Sequence, residues 1–92
     1  MQEVRRNDQR QRYELLIDGE LVGVADYVTN ETAVVLPHTE IDPARRGHGL
    51  GAVVVQGALD DLRARGAMVI PTCWYVRDYI DAHPEEADLL AS

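Results

Sequence analysis

The sequence contains no lysine and no phenylalanine, and its only cysteine is Cys73. One cysteine cannot form an internal disulfide and supplies too few thiolates for a structural zinc site, so no metal site is predicted. The absence of lysine excludes the phosphate loop of P-loop nucleotide hydrolases, which needs a lysine after its glycines. Because aromatic residues make up only 5% of the chain, aliphatic side chains must form most of the core.

Long apolar runs are also absent. No segment approaches the roughly 20 apolar residues that a helix needs to cross a membrane. The first twelve residues are polar, contain four arginines and are followed by no apolar stretch of the kind found in secretory signals. Together with the single cysteine, these features predict a cytoplasmic protein.

Acidic residues outnumber basic ones and give the 92-residue chain a formal net charge of −7. Binding to nucleic acid or to an anionic membrane depends on a basic surface, so neither is predicted as a partner. A hydrophobic fraction of 46% is typical of folded proteins. We expect one domain spanning residues 1–92, present as a monomer or weak dimer.

Turn and strand patterns predict a mixed sheet in the first part of the chain. Residues 13–17, 21–29 and 32–41 have strand character, with turns at Asp18-Gly19-Glu20 and Asn30-Glu31 between them. Short connections of this kind join antiparallel strands. The three strands therefore form an antiparallel meander.

Helical periodicity then extends from about residue 49 to residue 65, with Gly66 at the position of a C-terminal cap. Residues 67–71 are predicted as a fourth strand, parallel to the third because a crossover helix joins them. A second helix is predicted over residues 74–82, and a short third one from His83. The expected fold class is α/β in the broad sense (α+β), with about four strands and two to three helices.

The segment from Ile41 to Ala52, IDPARRGHGLGA, is typical of an anion-binding loop. Its glycines let backbone N–H groups approach a ligand, and the helix start adds unpaired donors and a positive dipole. The glycine spacing does not fit the Gly-x-Gly-x-x-Gly fingerprint of dinucleotide-binding domains. A tight strand-to-helix turn without a ligand is the structural alternative.

Three motifs, in this order, resemble the GNAT superfamily of N-acetyltransferases and especially its very small, stand-alone members. The motifs are His38-Thr39, the run Arg46-Gly47-His48-Gly49 and the segment Pro71-Thr72-Cys73-Trp74-Tyr75-Val76. The spacing Arg46-x-x-Gly49-x-Gly51 resembles the acyl-CoA pyrophosphate loop of the superfamily as a whole. The resemblance implies a truncated GNAT fold that begins at the second strand of the usual arrangement. It also implies that acetyl-CoA (coenzyme A) inserts between two splayed strands. The predicted cofactor-binding residues are Ile41, Arg45, Arg46, Gly47, His48, Gly49, Leu50 and Gly51.

The predicted catalytic residues are His38, Glu40 and Cys73, which the resemblance places near the acetyl thioester. His38 and Glu40 are two apart on one strand, so they share a face, where either can take the proton of an amine. Cys73 at a helix N-terminus offers a second route, in which its thiolate accepts the acetyl group first. A backbone-bonded histidine, a solvated carboxylate and a buried thiol are the corresponding structural interpretations.

The predicted function is acetyl-CoA-dependent N-acetyltransfer (acyltransferase activity) to an unidentified amine of a small molecule or a protein. The alternative is a non-catalytic acyl-CoA-binding or protein-interaction module with the same fold. Elements that build the acceptor pocket in larger relatives are missing from this chain. That absence keeps the alternative open.

Overall fold

The computed structural model describes residues 1–91 and contains five strands in one mixed sheet. The strands are β1 (Gln2–Asn7), β2 (Arg12–Ile17), β3 (Glu20–Thr29), β4 (Val34–Ile41) and β5 (Val69–Ile70). They lie in the order β1-β2-β3-β4-β5; the first four are antiparallel neighbours, and β5 is parallel to β4. The predicted meander and parallel β-α-β unit are thus confirmed.

Helix α1 (Leu50–Ala64) is the crossover between β4 and β5, and α2 (Trp74–Ala82) follows β5. Gly66 ends α1 in the left-handed conformation, with bonds from its own N–H to Arg63 and from the Ala67 N–H to Leu62, as in a Schellman motif. The predicted third helix is a 3-10 segment, Pro84–Leu89. Among residues 1–91, no helix is both long and apolar enough for a membrane span.

Strand β1 corrects the expected strand count from about four to five and places a strand before the meander. The sequence conceals β1 because Val4 is its only aliphatic residue. Arg6 occupies an inward position instead, where its guanidinium lies 4.3 Å from the centre of the Tyr27 ring and donates to the Tyr13 hydroxyl at 2.9 Å. Cation–π and hydrogen-bond contacts here replace the apolar side chains that mark a strand in sequence.

Both α-helices pack against one face of the sheet, and the core lies between these layers. Leu15, Ala25 and Leu36 of the sheet and Val54 and Leu59 of α1 are each at most 1% exposed. The opposite face of the sheet carries no helix within residues 1–91. That face is called the uncovered face.

The register between β3 and β4 shifts by one residue at Tyr27, which lies opposite both Leu36 and Pro37. Two residues opposite one constitute a β-bulge, which bends a strand and leaves one residue without a ladder partner. Proline suits this position because it has no amide N–H to donate. The bulge interrupts β4 halfway along its length.

The bulge changes which β4 side chains face the helices. Before the bulge, the side chain of Leu36 points into the core. After the bulge, Thr39 lies opposite the buried Ala25, so its side chain faces the helices. His38 lies opposite Asp26, and Glu40 shares its face. His38 and Glu40 therefore occupy the uncovered face of the sheet.

The packing of β1 against α1 can be tested by the direction in which one substitution changes the stability of the protein. A Cβ added at Gly57 of α1 would lie 2.6 Å from the Cβ of Val4. Alanine normally stabilises a helix by about 0.5–1 kcal/mol relative to glycine. We predict that Gly57→Ala instead lowers the free energy of unfolding measured in urea, because β1 must move away from α1.

The matched control uses Val4→Gly, which removes the opposing side chain. In that background Gly57→Ala should stabilise the protein, by up to about 1 kcal/mol. Stabilisation by Gly57→Ala in the unmodified chain would contradict the packing of β1 against α1.

Candidate functional site

Strands β4 and β5 separate beyond Leu36, and a cavity of about 580 Å³ opens where they diverge. β5 pairs with Val34 and Val35 of β4, and the Cys73 amide then donates to the Leu36 carbonyl at 3.0 Å. Past that bond, β4 is paired with β3 alone. Its other edge presents backbone N–H and C=O groups to the cavity, as a strand edge does for a ligand.

Three segments border this cavity: the end of β4, the glycine loop with the first turn of α1, and the start of α2. The lining residues are 37–41, 45–47, 49–51 and 72–75. Every predicted site residue except His48 is among them. The fold therefore brings together residues that lie more than thirty positions apart in the sequence.

The glycine loop is built by backbone geometry that the sequence requires. Asp42 accepts a hydrogen bond from the Ala44 N–H at 3.0 Å and starts a 3-10 turn, Pro43–Arg45. Gly47 and Gly49 follow with φ values of 87° and 73°, in the left-handed region that favours glycine. Gly49 is also the N-cap of α1 and gives that helix no side-chain cap. The N–H groups of the first turn are thus available to an anion.

Two arginines lie beside the start of α1, and they differ in whether a carboxylate offsets their charge. The Arg45 guanidinium donates to Glu20 at 3.1 Å, which offsets its charge. The Arg46 Nε donates to the Ile41 carbonyl at 3.3 Å, and within residues 1–91 no carboxylate forms an ion pair with Arg46. Arg46 is therefore the better placed cation for a bound anion.

The three predicted catalytic residues approach the cavity from two sides of β4. The Cys73 Sγ lies 3.8 Å from the Thr39 Oγ1 on the helix-covered side, and Cys73 is only 8% exposed. His38 and Glu40 lie on the other side with Nε2 and Oε1 3.8 Å apart, which confirms that they share a face. Their side chains are 56% and 61% exposed, so solvent reaches both.

A second hollow, of about 380 Å³, lies against the uncovered face at the same end of β4. It shares Glu40, Ile41 and Arg46 with the first cavity. The remaining residues of its wall are Arg12, 21–24, Asp42 and Pro43. The end of β4 therefore separates two adjoining spaces.

Thr39 and Tyr75 also border the cavity, although neither is among the predicted site residues. Thr39 belongs to the His38-Thr39 motif, but the helix-facing direction of its side chain depends on the bulge. Tyr75 belongs to the segment after β5, and its ring lies against Gly51 of α1. Periodicity within a single segment carries no signal for a contact between two helices.

Comparison with known sequences gives a consistent family match. Residues 12–89 match the family model described as GCN5-related N-acetyl-transferase, so the match begins at β2 and omits β1. The chain is 30% identical over 84 residues to Protein NATD1 of Mus musculus, covering 88% of this chain and 76% of that protein.

Matches to other vertebrate relatives are shorter. Identity to Protein NATD1 of Xenopus tropicalis is 34% over 59 residues, covering 64% of this chain and 53% of the relative. Identity to Protein NATD1 of Homo sapiens is 35% over 51 residues, covering 55% and 45%. The aligned parts thus span about half the length of these two relatives.

Proposed function

The chain belongs to the GCN5-related N-acetyltransferase family, and on that basis we propose that it binds acetyl-CoA and transfers the acetyl group to an amine. One observation carries the proposal: a single cavity joins the open edge of β4 to the uncapped start of α1. A thioester on a long arm that ends in a pyrophosphate needs both features at once.

The loop from Arg45 to Gly51 is where we place the pyrophosphate. First-turn N–H groups, the positive end of the α1 dipole and the Arg46 guanidinium all favour a bound anion there. Ile41, Gly47 and Leu50 border the same space and would form its walls. His48 is exposed and lies outside the cavity lining, so we assign it no contact.

The open edge of β4 is where we place the thioester arm, with the acyl group near the bulge. Bound acetyl-CoA would supply a thioester carbonyl for an amine to attack: a C–N bond would form, the C–S bond would break, and CoA would leave and take up a proton as the free thiol. His38 or Glu40 would accept the amine proton from the uncovered face, where both side chains reach solvent. Backbone N–H groups at the open edge would stabilise the oxyanion.

A non-catalytic acyl-CoA-binding or interaction module is the second candidate. The exposure of His38 and Glu40 favours it, because side chains in contact with solvent are not held in a fixed orientation toward a substrate. Such a module would keep the cavity and the loop and would show no transfer. Binding and turnover must therefore be measured separately.

Binding is tested first, by calorimetry with acetyl-CoA and CoA. We predict that Arg46→Ala weakens both by about 1.5 to 3 kcal/mol, because a charge-assisted contact is lost. Arg10→Ala is the matched control, since Arg10 is an exposed arginine in the turn between β1 and β2. Equal affinities for the two variants would contradict the placement of the pyrophosphate.

Transfer is tested with a panel of amines and labelled acetyl-CoA. We predict direct transfer, with Cys73→Ala active and kcat lowered about 100-fold or more by His38→Gln or Glu40→Gln, whichever residue is the base. Retained binding without transfer to any amine would favour the non-catalytic module.

The absence of lysine makes the competing route through Cys73 easy to detect, because the α-amino group of Met1 is the only amine of the chain. An acetyl amide there survives hydroxylamine, whereas a Cys73 thioester does not. A hydroxylamine-sensitive adduct that is absent from Cys73→Ala would contradict direct transfer and establish an acyl-cysteine intermediate.

A further inference from the structure

Tyr75 lies across the first turn of α1. A Cβ built at Gly51 would be 2.7 Å from the Tyr75 hydroxyl oxygen and 2.8 Å from its Cζ. Gly51 lies within α1 and has no positive φ, so the backbone there does not require glycine. The Tyr75 ring instead occupies the space into which a side chain at residue 51 would project.

The Tyr75 hydroxyl differs from the other three tyrosine hydroxyls of the chain. Tyr13 donates to Asp61, Tyr27 to Asp8 and Tyr79 to Gln56. The Tyr75 hydroxyl has no hydrogen-bond partner within residues 1–91, although its ring is partly buried and borders the cavity. Within residues 1–91 no buried side-chain oxygen lacks a partner, so the Tyr75 oxygen reaches solvent at the cavity and is open to a ligand there.

The position of this hydroxyl indicates which ligand group it can contact. It lies beside Gly51, in the same turn whose N–H groups have no side-chain cap. Arg45, on the same cavity, already has its charge offset by Glu20. A neutral O–H donor at this point adds a hydrogen bond for an anion without another cation.

We propose that Tyr75 is a ligand residue whose hydroxyl donates a hydrogen bond to a phosphate oxygen held at the start of α1. This inference rests on the proposed function, since it takes the phosphate to be that of CoA. Gly51 and Tyr75 then form a matched pair: the missing side chain at residue 51 lets the hydroxyl reach the phosphate.

The test compares CoA with pantetheine, which has the same arm and no phosphate. Tyr75→Phe keeps the ring over Gly51 and removes only the oxygen. We expect it to bind CoA about tenfold more weakly, as for a lost hydrogen bond to a charged group, with pantetheine affinity unchanged. Tyr79→Phe is the matched control: it removes the same atom from α2 outside the cavity and should alter neither affinity.

Gly51→Ala provides a second, independent variant. In the unmodified chain, Gly51→Ala should displace the Tyr75 ring and weaken CoA binding. In the Tyr75→Phe background, where the hydroxyl is already absent, the same substitution should reduce CoA affinity much less. Equal losses in the two backgrounds would show that the ring's position matters and not its oxygen, and would overturn the proposal.

The remaining outcomes separate this inference from the function on which it rests. Wild-type affinity of Tyr75→Phe for CoA would overturn the ligand role alone. Equal weakening for pantetheine would overturn the phosphate assignment. Failure of the unmodified protein to bind CoA would overturn both the inference and the proposed function.

Discussion

The hydrogen bond from the Cys73 amide to the Leu36 carbonyl and the bulge that follows at Pro37 fix the layout of the site. The bond is where the pairing of β4 with the chain after β5 stops. The bulge is where the side chains of β4 change faces. Together they open the cavity and place the side chains of Thr39 and His38 on opposite faces of the sheet. The candidate chemistry depends on this one point in β4.

The uncovered face of the sheet carries two of the predicted catalytic residues. His38 and Glu40 lie on that face, and both side chains are largely exposed. In the proposed function, the acetyl group lies at the open edge of β4 and the acceptor approaches His38 and Glu40 from the uncovered face. The two adjoining hollows, which share Glu40, Ile41 and Arg46, meet at this end of β4.

Local signals in the sequence predicted the parts of the fold that are locally determined. Gly66 ends α1 as expected, and Gly47 and Gly49 take the left-handed conformations that a strand-to-helix anion loop requires. The loop residues border one cavity, apart from His48. Such features depend on residues a few positions apart, so their spacing is readable in the sequence.

Three features were not predicted from the sequence: strand β1, the bulge in β4 and the contact between Tyr75 and Gly51. β1 was missed because Arg6 fills an inward position through contacts with Tyr13 and Tyr27, which no alternation of apolar residues reveals. The only sequence feature that accompanies the bulge is Pro37, and a single proline does not identify a bulge. The Tyr75 contact with Gly51 requires the relative placement of two helices, which the sequence pattern does not encode.

Amide hydrogen exchange with and without acetyl-CoA tests the proposed cofactor placement most sharply. The ligand should slow exchange at the first-turn amides of α1, including Gly51, and along the end of β4 from His38 to Ile41. Exchange in β1, which lies outside the cavity, should not change. Protection confined to β1 or to other parts outside the cavity, or none despite saturating ligand, would contradict the placement of the cofactor between β4 and α1.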